Sequence, residues 1–186
     1  MTSYIGLLRG IKVGGKNRIK MAELRDALTK EGFLHVKTYI QSGNVFFDSE
    51  ESEEGSRRRM EQIISTEFGL KVPVLIRSAT EWQSMIESCP FHEEQIAKAQ
   101  EKAVGESLYV AMLAEPLRAD AKEKFVSYAS DKEEYELIGR EVFLLFHDSI
   151  RNSKLATYLT RVNEYATIRN WKTINKIADM LPRDVT

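Results

Sequence analysis

The sequence predicts an α+β fold of two related subdomains, with largely antiparallel sheets and a C-terminal helix. Three observations carry this. The first 77 residues alternate short apolar runs with helical stripes in the order β-α-β-β-α-β. A similar alternation restarts near residue 108. Two echoes link the halves: Tyr4-Ile5-Gly6-Leu7-Leu8 against Tyr109-Val110-Ala111-Met112-Leu113, and Gly43-Asn44-Val45-Phe46-Phe47 after Tyr39 against Gly139-Arg140-Glu141-Val142-Phe143-Leu144 after Tyr135.

Taken in order, Tyr4 to Leu8 is short, apolar and β-like. Met21, Leu24 and Leu28 recur at i, i+3 and i+7, which marks a helix burying one face, and Gly32 can end it. Val36 to Ile40 and Val45 to Phe47 read as strands joined through the turn formers Ser42-Gly43-Asn44. Met60, Ile63, Ile64 and Phe68 form the next stripe, stopped by Gly69. Val72 to Ile76 reads as a strand, and Pro73 places it at a sheet edge because proline has no N–H to donate. This order is the ferredoxin-like split βαβ arrangement.

Ser78-Ala79-Thr80-Glu81 is a capping box for a short helix carrying Trp82, Met85 and Ile86, which Cys89-Pro90 ends. Residues 92–106 are charged and read as a partly helical connection. Leu108 to Leu113 is a strand; Leu117, Ala121, Phe125 and Tyr128 make a helix; Tyr135 to Ile138 and Val142 to Phe146 form a hairpin. A helix carrying Leu155, Leu159 and Val162 follows, capped by Ser153, and the chain closes with a helix from Trp171. The expected organisation is therefore a ferredoxin-like subdomain over 1–77, a helical connector over 78–106, and a second α+β subdomain over 107–186.

Charge is unevenly spread over a chain whose net charge is only −1. No acid precedes Glu23, whereas Arg9, Lys12, Lys16, Arg18 and Lys20 all do. Between Arg151 and Lys176 six basic residues face the single acid Glu164. A global polyanion-binding signature is absent, but local basic patches are written at both ends. The single cysteine, Cys89, excludes a disulfide framework and a cysteine-based zinc site. His35, His92 and His147 lack metal-ligand spacing and read as ordinary structural or surface histidines, so no metal is expected. No apolar run approaches the ~20 residues of a membrane span, and no signal peptide is visible, so a cytoplasmic protein is the expectation.

The densest signal is Arg9 to Lys20, with five basic residues, three glycines and no acid. Glycine lets a backbone turn tightly and present its N–H groups, and Lys and Arg add charge, which is how an anion cradle is written. Gly10 to Asn17 nearly spells a nucleotide-binding P-loop, but Asn17 stands where a metal-holding Ser or Thr is needed. The helical pattern also starts late, at Met21, and the antiparallel order lacks the crossover a P-loop requires. Asp148, after an apolar run, reads as an end-of-strand turn residue rather than a metal-binding acid.

Two further polar strings fall at element ends. In Thr38-Tyr39-Ile40-Gln41-Ser42-Gly43-Asn44, alternation puts Tyr39 and Gln41 on the face opposite Ile40. In Thr167-Ile168-Arg169-Asn170-Trp171-Lys172-Thr173, Asn170 suits a helix N-cap, where anions are attracted, and Trp171 reads as a core anchor or a stacking surface.

These three strings, in this order, resemble those of the bacterial "domain of unknown function 1697" family. The matching stretches are Leu8-Arg9-Gly10-Ile11-x-Val13-Gly14-Gly15-Lys16-Asn17, Thr38 to Asn44, and Ala166-Thr167-x-Arg169-Asn170-Trp171. Lys12 and Lys172 depart from the pattern, each where Asn is expected, and both add positive charge. The resemblance implies a two-part α+β fold of ferredoxin-like character and brings no activity, substrate or cofactor.

Three classes of function remain open. The first is binding of an anionic, phosphate-bearing ligand, a nucleotide or short nucleic acid. Arg9, Lys12, Gly14, Gly15, Lys16, Asn17 and Arg18 would form its cradle; Tyr39, Gln41, Ser42, Asn44, Arg169, Asn170 and Trp171 are the further candidate ligand-binding residues. An RNA-recognition fold is discounted, because the third-strand aromatic motif has the wrong spacing. The second is a group-transfer enzyme with Lys16 as phosphate clamp and Tyr39, Gln41 and Asn44 as orienters, although no acid or histidine lies in the strings to act as base. The third is an interaction protein meeting an acidic partner. No catalytic residue, cofactor or oligomeric state is assigned.

Overall fold

The structure, a computed structural model, describes residues 1–11, 19–40 and 43–182. Of the candidate ligand residues, Lys12, Gly14, Gly15, Lys16, Asn17, Arg18, Gln41 and Ser42 lie outside these. The chain divides into two compact units, Met1–Ser84 with Ile177–Thr186, and Met85–Lys176.

The first unit holds β1 (Thr2–Leu8), α1 (Met21–Lys30), β2 (Leu34–Tyr39), β3 (Asn44–Ser49), α2 (Glu53–Phe68) and β4 (Val74–Ser78), followed by α3 (Ala79–Glu87). Its sheet runs β2-β3-β1-β4 with every pairing antiparallel. This is the ferredoxin-like order. β4 is an edge strand, as Pro73 predicts. Tyr4, Leu8, Val45, Phe47, Val74 and Ile76 face α1 and α2, packing with Leu24, Leu28, Met60 and Ile64. Side chains alternate across a strand, so Ile5, Leu7, Phe46, Leu75 and Arg77 point the other way, and they are buried as well. Burial on both faces explains why these strands read as continuous apolar runs rather than as alternating ones.

The caps follow local chemistry. Ser52 Oγ accepts from Gly55 N at 3.1 Å to open α2, and Gly69, at φ 66°, closes it by donating to Ser65 O. Glu81 N donates to Ser78 Oγ at 3.1 Å at the start of α3.

The second unit opens with α4 (Glu93–Lys102), a regular helix where the sequence predicted a partly helical connection. It continues with β5 (Leu108–Met112), α5 (Ala119–Ser127), β6 (Glu133–Ile138), β7 (Glu141–Phe146), a 3-10 turn (Ile150–Asn152), α6 (Lys154–Val162), β8 (Thr167–Asn170) and the first part of α7 (Trp171–Met180), whose residues from Ile177 on group with the first unit. Its sheet order, β6-β7-β5-β8, repeats that of the first, again fully antiparallel. The second half is thus ferredoxin-like too. β8 completes the repeat, pairing Val110 with Arg169 as β4 pairs Ile5 with Arg77. Phe125, Val142, Leu144, Phe146, Leu155 and Leu159 form the core on the helical face. On the other face α4 packs Ala99 against Leu108 and Leu145.

No helix among the described residues is long and apolar enough to cross a membrane.

Candidate functional site

β1, β3 and β4 meet at one end of the first sheet, and two of the three polar strings meet there with them. Leu7 lies opposite Asn44 in the register. Leu8 N donates to Gly43 O at 2.9 Å, and Arg9 N donates to Pro73 O at 3.0 Å. Arg9 therefore leaves the sheet beside the turn that carries Tyr39 and Asn44. Asn44 is fully buried, and its Nδ2 donates to Tyr39 O at 3.0 Å, which closes the turn from inside.

The backbone here is left-handed at three positions: Gly10 at φ 77°, Ile40 at φ 50° and Gly43 at φ 85°. Ile40 stands out, because a β-branched residue rarely adopts this conformation and because its side chain is 49% exposed. Strained residues of this kind cluster at binding sites and switch regions. Gly43 has a packing reason as well: a Cβ there would lie 3.0 Å from Leu8 Cβ.

Ile11, 8% exposed, and Ile19, fully buried, sit in the core of the first unit. They anchor both ends of the segment that carries Lys12, Lys16 and Arg18.

The internal repeat shows what the fold itself requires at this end. In the second unit Leu113 N donates to Arg140 O at 2.9 Å, the counterpart of the Leu8–Gly43 bond. There β5 connects to α5 through six residues, 113–118, and β6 connects to β7 through two, 139–140. In the first unit the corresponding connections are twelve residues, 9–20, and four, 40–43. The same topology closes with the shorter connections, so the sheet order by itself does not require the added length in the first unit.

The third string lies in the second unit, and its described contacts hold structure together. Asn170 Oδ1 accepts from Thr173 N at 2.8 Å, capping α7. Asn170→Ala is expected to lower the stability of the second unit by about 0.5–2 kcal/mol, read from urea unfolding. Trp171 packs on Phe143 with centroids 6.3 Å apart, and joins the Leu108–Leu145 cluster. Arg169 Nη1 donates to Ile168 O at 3.1 Å, and burial pushes its guanidinium down to about 10, which leaves it charged at neutral pH. Arg77 repeats that contact in the first unit, donating to Ile76 O at 3.2 Å while only 2% exposed.

No group of three or more His, Cys, Asp or Glu among the described residues is placed to hold a metal ion. Cys89 is half-buried, with its thiol pushed up by desolvation, the reverse of an activated nucleophile. One pairing was not visible in the sequence: His35 Nδ1 lies 2.7 Å from Asp48 Oδ2.

The family described as "Protein of unknown function (DUF1697)" matches residues 1–143. The chain belongs to this family. The matched residues include the first two polar strings, and the third lies beyond them. A solved structure, that of the conserved bacterial protein SP0830 from Streptococcus pneumoniae, is 30% identical and superposes with a TM-score of 0.74, over 97% of this chain and 99% of that one. No curated protein matches this DUF1697 chain.

Proposed function

We propose that the chain binds a small phosphate-bearing ligand, a nucleotide or the end of a short nucleic acid, at the β1/β3/β4 end of the first sheet. The observation that carries this is the contrast between the repeats. Both connections at that end are longer in the first unit, and the extra residues include Lys12, Lys16 and Arg18 with Gly14 and Gly15. The equivalent connection in the second unit, Leu113-Ala114-Glu115-Pro116-Leu117-Arg118, has one basic residue, one acid and no glycine.

Arg9 and the lysines supply charge and the glycines supply N–H groups that can point at phosphate oxygens. Tyr39, on the neighbouring turn, offers a ring for a base. Charge and backbone donors bind and position a phosphate, and no histidine or carboxylate lies in the three strings to take a proton from a nucleophile.

A thermal-shift panel of nucleotides, inorganic phosphate, sulfate and short single-stranded RNA and DNA tests the proposal. A ligand at about 100 times its dissociation constant stabilises the native state by ~2.7 kcal/mol. The expected result is a shift with a nucleotide or oligonucleotide that Arg9→Glu and Lys16→Glu each abolish. A shift confined to oligonucleotides selects nucleic acid as the ligand. The absence of any shift overturns the proposal and leaves an acidic protein partner as the better reading.

A further inference from the structure

The opposite end of β3 holds a second polar cluster, roughly 13 Å along the strand from Asn44, which the phosphate reading does not use. The register between β2 and β3 slips between Leu34 and Lys37. His35 sits in that irregularity with φ 51°. A bulge bends its strand and re-aims a side chain, and histidine tolerates a left-handed backbone better than most residues with a Cβ.

The ring so placed has its Nδ1 2.7 Å from Asp48 Oδ2, while Asp48 Oδ1 accepts from Ser3 Oγ at 2.6 Å. An ionised carboxylate only accepts, so Nδ1 carries the proton and donates. In the neutral ring the other nitrogen, Nε2, is then a hydrogen-bond acceptor. The His35 side chain is 72% exposed and that of Asp48 20%. The orienting group is sheltered and the histidine is reachable.

Beside this pair lies a cavity of about 260 Å³ whose lining includes His35, Lys37, Asp48, Phe46, Met180 and Leu181, all in the first unit. It is smaller than the ~300–1,000 Å³ of drug-sized sites, so it suits a single ring or a branched chain. Phe46, Met180 and Leu181 give it an apolar body. His35 contributes an acceptor and Lys37 a donor. A hydroxyl can donate to the first while accepting from the second, and it does so through a single atom without adding charge to an apolar ligand.

We propose that this cavity is a second binding site, taking a small apolar alcohol or phenol whose hydroxyl donates to His35 Nε2 and accepts from Lys37 Nζ. Asp48 and Ser3 are positioning residues that hold the imidazole in the required tautomer. The site does not depend on the phosphate-binding proposal.

The test is NMR titration of the full chain, with its methionine methyls labelled, using phenol, toluene and benzoate as probes. Phenol is expected to shift the Met180 methyl resonance saturably, and toluene, which lacks the hydroxyl, to bind about tenfold more weakly. His35→Asn keeps a residue that tolerates the left-handed backbone and loses the ring; it should weaken phenol binding by about tenfold. Lys37→Met, on an exposed side chain, should weaken it in the same direction, and it decides the matter if His35→Asn does not fold. Arg9→Glu should leave phenol binding unchanged, which separates this site from the other. Equal binding of toluene, preference for benzoate, unaltered phenol binding in folded variants, or a silent Met180 methyl would each overturn the proposal.

Discussion

Phe47→Ala is expected to lower the stability of the first unit by about 3–5 kcal/mol. Phe47 is 2% exposed at the centre of the helix-facing side of its sheet. Its ring stacks on Tyr4 with centroids 5.4 Å apart and meets Phe33 edge-on at 5.1 Å. Truncation removes the transfer free energy of the ring and leaves a cavity that three strands and two helices can only partly close. It also removes two aromatic contacts worth about 0.5–1.5 kcal/mol each beyond area burial. Against a typical total of ~5–15 kcal/mol, the loss is a large share. Each unit carries one tryptophan, Trp82 in the first and Trp171 in the second. Urea unfolding followed by fluorescence in a Trp171→Phe background therefore reports on the first unit. A change below about 1 kcal/mol would show that the aromatic cluster is not what holds this sheet to its helices.

Gly43→Ala is the second large effect, at about 2–5 kcal/mol, and it acts at the proposed phosphate site. Two costs combine. The left-handed backbone at φ 85° penalises any Cβ by about 1–2 kcal/mol. The new methyl would also lie 3.0 Å from Leu8 Cβ and 3.1 Å from Leu8 O, an overpacking cost of about 1–3 kcal/mol. Leu8 cannot yield easily, because its own N–H is bonded to Gly43 O at 2.9 Å. Gly10 supplies the internal comparison. It is also left-handed, at φ 77°, but nothing lies within 4 Å of where its Cβ would be. Gly10→Ala should therefore show the conformational cost alone, about 1–2 kcal/mol. Urea unfolding of the two variants side by side measures the packing contribution as their difference, and equal losses would show that Leu8 gives way.

Much of the architecture was legible because core residues repeat at helical spacing. Met21, Leu24 and Leu28 were enough to place α1, and all three are buried. The ends were legible where a single residue type does the work, as at Gly69 and Ser153, whose Oγ accepts from Ala156 N at 3.1 Å. β8 was not legible. It is four residues long and carries Arg169 at a half-buried position, so it offers no apolar run and looks like the approach to a helix. Arg77 hid the end of β4 in the same way. Which strand residues face the helices was not legible either, because the opposite face is buried too, with Ile5, Leu7 and Phe46 on it.

The residues of the candidate site were legible as separate strings, and their proximity was not. The strings around Arg9 and Gly43 were recognised separately, and only the β1–β3 register brings them together. The comparison that favours the first unit needed the second sheet in full, since connection lengths mean little until both topologies are seen to match. The His35–Asp48 pair was out of reach for sequence reading, because its partners are thirteen residues apart on neighbouring strands and meet across an irregular register. His35 looked like an ordinary surface histidine for that reason.

The end of α7 has a consequence for synthesis. Ile177, with no exposed surface, and Leu181, 6% exposed, are grouped with residues 1–84. During translation residue 84 is joined to the chain about a hundred residues before they are, a delay on the order of 5–20 seconds at typical elongation rates. Throughout that interval the nascent N-terminal half lacks two of its buried apolar side chains. The segment Met85–Lys176 has all of its residues before the N-terminal half has the last of its own, so the part of the protein made first is the part finished last.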